Sequence, residues 1–208
     1  MTTARLETFS DGVFAIAVTL LILNVDAGVE EGADLGRRLL HVWPSYIAYV
    51  MSFLTIGIIW VNHHTVMNQI SVVNRTFLFL SIFFLMCVAF IPFPTRLVAE
   101  HIRDDAAVAA ALAYGGTLTL TAMFFNALWR YAAFRRQLLR ADADPATVAG
   151  ITRSYIPGPF IYLTATLAAL ISPVLSVSLY IAIALFYVVE SSFFGGKSSR
   201  DAGPDPAG

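Results

Sequence analysis

Long apolar stretches alternate with short polar ones along nearly the whole chain. Each apolar stretch is long enough, or nearly so, to cross the roughly 30 Å hydrocarbon core of a bilayer as a helix. No strand-like alternation of apolar and polar positions appears, so the pattern predicts an all-α fold rather than a β-barrel. The six predicted transmembrane spans are 9–25, 44–61, 76–91, 106–129, 155–171 and 174–189.

Composition supports a membrane protein. Of the 208 residues, 58% are hydrophobic and only 13% are charged, whereas soluble domains carry about 25% charged residues. The net charge of −1 offers no basic surface for nucleic acid. Cys87 is the single cysteine, which excludes a disulfide within the chain. We therefore expect residues 1–194 to form one six-span domain, followed by a disordered cytoplasmic tail over 195–208 that is rich in glycine, serine and proline.

The basic residues of the loops predict the orientation. Six spans place both termini on one side of the membrane, and that side carries nine Lys and Arg residues against four on the other. The positive-inside rule then predicts that both termini are cytoplasmic. The nine are Arg5, Arg75, Arg130, Arg135, Arg136, Arg140, Arg153, Lys197 and Arg200, and the four are Arg37, Arg38, Arg96 and Arg103.

The first predicted helix carries a stripe along one face. Gly12, Ile16, Thr19, Leu20 and Leu23 follow helical i, i+4, i+7 spacing, and Asp26 continues the line. In a membrane protein every helix face can be apolar, so ordinary helix packing explains this stripe as well as any functional role does.

Polar residues gather at the predicted cytoplasmic ends of the first two helices. Ser10 and Asp11 have two open interpretations, as a cap of the first helix or as partners of residues on the second. The second helix runs in the opposite direction and ends in polar residues at the same depth, so a buried network between the two helices is expected. The second-helix residues are Trp60, Asn62, His63 and His64, and Arg5 and Asn74 are further candidates for the network.

Metal binding and catalysis find little support in these residues. Adjacent histidines on a helix point about 100° apart and do not grip one ion, and no HExxH pattern is present. Ser10, Asp11 and His63 include the residue types of a hydrolytic triad, but no GxSxG turn accompanies them. We expect neither a metal site nor an enzyme.

The segment RxxxFSDGVFAIAxTLLxL, which begins at Arg5, resembles the first helix of the transmembrane protein 175 family of endosomal and lysosomal potassium channels and their bacterial relatives. The resemblance extends to WVNHH in the second helix and to FIPFPT at the end of the third. Animal members are similar to two fused six-span repeats. Because this chain has a single copy, the resemblance implies a bacterial-type homotetramer in the inner membrane.

The resemblance also implies roles for individual residues. The first helix of each of four subunits would surround a pore that Ile16 narrows, with Leu20 and Leu23 extending the apolar neck and Thr19 a candidate for cation selectivity. The FSD block (Phe9, Ser10 and Asp11) and Arg5 would hold this helix against the second. The implied function is passive flow of potassium, with other monovalent cations and protons as further candidate permeant ions, without a cofactor and without a TVGYG filter.

The alternative is a proton channel or a proton-coupled carrier of the same fold. A carrier needs an ionisable residue in mid-membrane. The middles of the six predicted spans contain no Asp, Glu, Lys, Arg or His, which argues against the carrier.

Overall fold

The computed structural model describes residues 3–25 and 35–195, with the side chains of residue 38 and of residues 188–195 excepted. Over these residues the chain forms nine α-helices, three short 3-10 turns and one isolated β-bridge between Ile70 and Leu139. The helices are α1 Thr3–Leu20, α2 Leu35–His41, α3 Trp43–Met67, α4 Arg75–Phe90, α5 Pro92–His101, α6 Ala107–Phe134, α7 Pro145–Tyr155, α8 Gly158–Leu167 and α9 Pro173–Gly195. The predicted all-α membrane fold is confirmed at this level. The predicted tail falls outside the described residues, except for Gly195.

Four helical segments within the described residues are long and apolar enough to cross a membrane. They are Thr3–Asn24, Trp43–Met67, Arg75–His101 and Ala107–Phe134, and Pro173–Tyr187 is a shorter apolar helix. The region of the predicted fifth span, 155–171, is divided. Helix α7 ends at Tyr155, α8 covers Gly158–Leu167, and a 3-10 turn follows over Ala168–Leu170.

Proline marks the beginning of several helices. Pro44, Pro92 and Pro145 each lie in a first helical turn, where the missing N–H costs no hydrogen bond. The third predicted span was expected to end before Pro92. Instead, α5 begins there directly after α4, and together they form one apolar segment of 27 residues. The helix resumes because proline is tolerated at the first position of a helix but not inside one.

The side chain of the residue before the helix caps α4 and α7. The Asn74 side chain accepts a hydrogen bond from the Phe77 amide at 2.9 Å. Asp144 accepts from the Thr147 amide at 2.9 Å and from the Ala146 amide at 3.2 Å. These bonds satisfy amides that have no partner within their own helix.

Buried hydroxyl groups connect the helices inside the bundle. Ser52 of α3 bonds Thr95 of α5 at 2.8 Å and donates to the Tyr114 hydroxyl of α6 at 3.2 Å. Thr166 of α8 bonds Tyr180 of α9 at 2.9 Å. In a low-dielectric interior such bonds satisfy groups that are costly to leave alone.

Close packing of α6 against Thr166 of α8 and Tyr180 of α9 requires a glycine. A Cβ at Gly115 would collide with the Tyr180 hydroxyl and would lie 2.5 Å from Thr166 Oγ1. At the neighbouring Gly116 an added Cβ meets nothing within 4 Å. Gly115 is therefore a position where the backbone itself forms part of the helix interface.

Helix α1 packs on the bundle along one face only. It lies against α3 and α4, and the 3-10 turn Leu21–Asn24 that extends it lies against α3 and α5. At the C-terminal end of this segment the Asn24 side chain donates a hydrogen bond of 2.9 Å to the Pro92 carbonyl. This contact fixes the far end of α1 at the junction of α4 and α5.

Candidate ion pathway along the first helix

The two faces of α1 differ sharply in exposure. Phe14 and Ala17, on the face that packs on α3 and α4, are 3% and 1% exposed. Ile16 and Leu23, on the opposite face, are 60% and 73% exposed. Gly12, Thr19 and Leu20 are exposed on the same side. The stripe predicted from the sequence is thus a face of the first helix that no other described part of the chain covers.

Thr19 contributes a hydroxyl group to the exposed stripe of α1. Its hydroxyl donates to the Ile16 carbonyl, one turn back, at 2.9 Å. This bond uses the hydroxyl hydrogen, so the oxygen lone pairs of the exposed side chain point away from the helix as acceptors. An exposed oxygen flanked by apolar side chains is suited to contact a cation rather than an anion.

Asp11 and Trp60 join α1 to α3. The Trp60 indole N–H donates to Asp11 Oδ1 at 2.9 Å. Asp11 does not cap its helix, because α1 begins at Thr3, two turns earlier than the sequence suggested. The pairing interpretation of Asp11 therefore fits the structure, and the capping interpretation does not.

Ser10 also has another role than a cap. Its hydroxyl donates to the Leu6 carbonyl within α1 at 2.8 Å, and the side chain is completely buried. With Ser10 bound to Leu6 and Asp11 bound to Trp60, these residues do not form the hydrogen-bonded relay of a triad. The described residues contain no group of three or more His, Cys, Asp or Glu side chains arranged for a metal ion.

The second-helix residues turn to three different sides rather than forming one network. His63 is 2% exposed and lies between Phe14 and Phe84, with ring centroids 5.6 and 5.5 Å away. Its Nε2 atom has no hydrogen-bond partner within the described part of the chain. Asn62 points away from α1, and its oxygen accepts from the Tyr155 hydroxyl at 3.5 Å. This dispersal follows from the 100° turn between successive helical residues.

The other residues predicted for the network between the first two helices take no part in the Asp11–Trp60 contact. His64 is exposed, with its ring centroid 6.2 Å from that of Trp60. Phe9 is 56% exposed beside the stripe. Arg5 is exposed and forms no hydrogen bond or ion pair with another described residue. Asn74 caps α4 and donates to the Tyr131 hydroxyl at 2.8 Å, so it belongs to the α4–α6 contact.

Some contacts of the first helix depend on long-range packing and could not be predicted from the sequence. The bond between Asn24 and the Pro92 carbonyl joins positions 68 residues apart, and no local pattern indicates it. Asn24 is a polar residue near the end of an apolar span, which was a usable signal that it has a partner.

Comparisons with known proteins show which family this chain resembles. Residues 5–92 match the family model of the endosomal/lysosomal potassium channel TMEM175. The chain is 40% identical over 193 residues to a potassium channel of Chamaesiphon minutus, covering 91% of this chain and 95% of that protein. It is also 31% identical over 138 residues to the endosomal/lysosomal proton channel TMEM175 of Gallus gallus, covering 62% of this chain and 28% of the relative.

The fold agrees as well. The crystal structure of a lysosomal potassium-selective channel TMEM175 homolog from Chamaesiphon minutus superposes with a TM-score of 0.82 at 38% identity, covering 91% of this chain and 97% of that one. Sequence and fold together define a membrane protein of the ion-channel class. The chain belongs to the TMEM175 family, whose members are channels and not enzymes.

Proposed function

We propose that this chain is the subunit of a homotetrameric, potassium-permeable cation channel whose pore is lined by the exposed stripe of α1. The names of its bacterial relatives supply the ion. The observation that carries the pore assignment is the contrast between the buried and exposed faces of α1, since Ile16 is 60% exposed on a helix whose other face is closed by α3 and α4.

Closed symmetry gives this face a partner. One thin helix per subunit builds a tube only when several copies surround an axis, and cyclic symmetry does so with identical contacts. In this arrangement Ile16, Leu20 and Leu23 form successive apolar rings over about 10 Å of helix, at 1.5 Å per residue.

The apolar rings act as a gate. A narrow ring of isoleucine side chains excludes water, and an ion cannot pass without part of its hydration shell. A small increase in width admits water and a partly hydrated cation. No TVGYG sequence is present, so potassium selectivity arises here from neck width and from the Thr19 oxygens rather than from rings of backbone carbonyls.

The Asp11–Trp60 contact supports this gate. It holds the cytoplasmic part of α1 against α3, while Asn24 and the Pro92 carbonyl hold the outer part. A helix fixed at both ends keeps its stripe directed to the axis, so these contacts set the neck width. Ser10, buried against the bundle, contributes by close packing.

We also propose how the chain is oriented in the membrane. We place six spans within residues 1–194, with both termini in the cytoplasm of a bacterial cell and the channel in its inner membrane. The excess of basic residues in the loops on the proposed cytoplasmic side supports this orientation.

A reversal-potential measurement tests the proposal. Purified protein in a planar bilayer, with unequal potassium concentrations on the two sides and sodium making up the difference, should give a current whose reversal potential is displaced from zero toward the potassium equilibrium potential. Vesicles that contain folded tetramer but carry no ion flux would refute the channel.

Proton conduction is the second candidate, because several vertebrate relatives are named proton channels. A current whose reversal follows an imposed pH gradient at equal potassium would favour it. A proton-coupled carrier is less well supported. The buried His63 lies behind α1 and not on its exposed stripe, so no ionisable group among the described residues faces the proposed path in mid-membrane.

A further inference from the structure

Two cavities adjoin α3 where it faces α7, α8 and α9. A small cavity of about 60 Å³ lies between α3, α6, α7 and α8. It adjoins a groove of about 880 Å³ between α3, α7, α8 and α9. The two share Asn62, Ser154, Tyr155 and Tyr187 among their lining residues. The groove volume falls within the roughly 300–1,000 Å³ of pockets that hold small molecules.

The lining of the groove changes character along its length. Phe53, Leu54 and Phe186 line it toward the middle of the bundle. Asn62, Thr65, Ser154 and Tyr155 line it at the end where α3 finishes and α7 meets α8. An apolar trough with polar groups at one end matches a molecule with an apolar chain and a polar head.

The polar end has hydrogen-bonding capacity to spare. The one hydrogen bond of the Asn62 side chain within the described residues is the 3.5 Å contact to Tyr155, which is long for a hydroxyl donor. The Asn62 side chain carries two N–H donors and a carbonyl oxygen, so it can bond further polar groups at the groove mouth. A lipid headgroup at the groove mouth provides them.

Basic residues lie at the same end of the bundle. The loop after α6 pairs with the turn after α3, since the Ser71 amide donates to the Leu138 carbonyl and the Arg140 amide to the Gln69 carbonyl, both at 2.9 Å. This pairing places the segment with Arg135 and Arg136 beside the end of α3. Arg153 precedes Ser154 on α7 and is exposed. Cationic side chains at a membrane surface attract anionic headgroups.

We infer that the groove between α3, α7, α8 and α9 binds one anionic phospholipid of the cytoplasmic leaflet, with its acyl chain on Phe53 and Phe186 and its headgroup at Asn62 and Ser154. The inference rests on the membrane orientation of the proposed function, but not on ion conduction. A lipid at this site fills space beside α3, in a groove that Trp60 itself lines, and so stabilises that helix.

Glycine positions provide a direct test. Gly57 lines the groove, and a Cβ there meets nothing within 4 Å, so Gly57→Leu fills the groove without a clash at its first atom. Gly116→Leu is the matched control, since its Cβ is also unobstructed but lies outside both linings.

The full chain is purified in mild detergent, mixed with equal amounts of phosphatidylglycerol and phosphatidylcholine, and examined by native mass spectrometry. The wild type and Gly116→Leu should retain phosphatidylglycerol in preference to phosphatidylcholine. Gly57→Leu should lose at least about tenfold of that binding, equivalent to ~1.4 kcal/mol. Asn62→Leu combined with Arg153→Gln should keep a bound lipid but lose the preference between headgroups.

Three results would overturn the inference. The first is wild-type protein that retains neither lipid, and the second is equal lipid retention by Gly57→Leu and Gly116→Leu. The third is a disulfide between the Gly57→Cys residues of neighbouring protomers, which would show that a second copy of the chain occupies the groove. Circular dichroism and tetramer elution separate these results from misfolding. Silent bilayers together with normal lipid retention would count against the channel alone.

Discussion

The Trp60 indole N–H lies 2.9 Å from a carboxylate oxygen of Asp11, and this bond is the direct polar contact between α1 and α3 at the proposed cytoplasmic end. Its donor is neutral and its acceptor is charged, which makes it stronger than a bond between two neutral groups. Both side chains are exposed in the single chain. In the tetramer that we propose, they lie at the edge of the pore-lining face.

A double-mutant cycle measures this bond. Asp11→Ala and Trp60→Phe should each lower the stability of the tetramer, and the two effects should be coupled by about 1 kcal/mol. Thermal unfolding in detergent with tetramer elution provides the readout. Thr65→Val on the same helix is the control, because among the described residues that hydroxyl bonds only the Val61 carbonyl within α3. Additive effects of Asp11→Ala and Trp60→Phe would mean that the contact does not hold the helices together.

Ile16→Asn should hydrate the proposed neck. A ring of amides replaces a ring of branched apolar side chains, so water enters, conductance rises and selectivity for potassium over sodium falls. Single-channel recording in bilayers measures both quantities. Ile82→Asn on α4 is a matched control, because Ile82 is 49% exposed but lies on another helix. Unchanged conductance in Ile16→Asn would place the constriction elsewhere.

Thr19 should contribute to selectivity through its oxygen. Thr19→Ala should lower the potassium-to-sodium permeability ratio by about fivefold, the factor that corresponds to ~1 kcal/mol. Thr19→Ser, which keeps the hydroxyl, should retain most of the ratio. The reversal potential in a potassium–sodium gradient measures the change. An equal loss in both variants would point to side-chain volume rather than to the oxygen.

Gly115→Ala should destabilise the fold by about 1–3 kcal/mol, because the added methyl group collides with Tyr180 and Thr166. Gly116→Ala, one residue along the same helix, should be neutral or slightly stabilising, since its methyl group meets open space and alanine favours the helix. The difference between the two melting temperatures is the test. Equal melting temperatures would show that α6 and α9 adjust without cost.

The cap of α7 should depend on pH. Hydrogen bonds from the Thr147 hydroxyl and from the Thr147 and Ala146 amides hold the pKa of Asp144 below its ordinary value. A lowered pKa in the folded state means that this stabilisation is complete above the ordinary pKa of about 3.9 and is lost as the pH falls below it. Amide exchange at Ala146 and Thr147 should therefore be slower in the wild type than in Asp144→Ala near neutral pH, and the difference should shrink in acid. A difference that is constant with pH would exclude the charged cap.

The sequence predicted the membrane class and the stripe of α1 because both depend on the order of apolar residues along the chain. The all-helical fold and the family resemblance are confirmed. The contact partners of the polar residues were harder to predict from the sequence. Asn62 and His63 are neighbours in sequence, yet one faces Tyr155 and the other faces Phe14 and Phe84. Only the positions of α1, α4 and α7 around α3 decide this.

Helix boundaries depended on the same tertiary context. Pro92 was expected to end the third span, but a proline is equally compatible with the first turn of a following helix. Ser10 and Asp11 resembled a cap because the apolar run begins at Phe9. The polar residues before it also favour a helix, so α1 begins at Thr3 and the pair lies inside it.

Block by cadmium tests the central claim most directly. With Cys87 replaced by alanine, Ile16→Cys should place four thiolates around the axis, and thiolates bind soft divalent ions tightly. Micromolar cadmium should then stop potassium flux in Ile16→Cys channels, a chelator should restore it, and Ile82→Cys channels should be unaffected. Unblocked Ile16→Cys channels, with block appearing instead in Ile82→Cys, would contradict the assignment of the pore to α1.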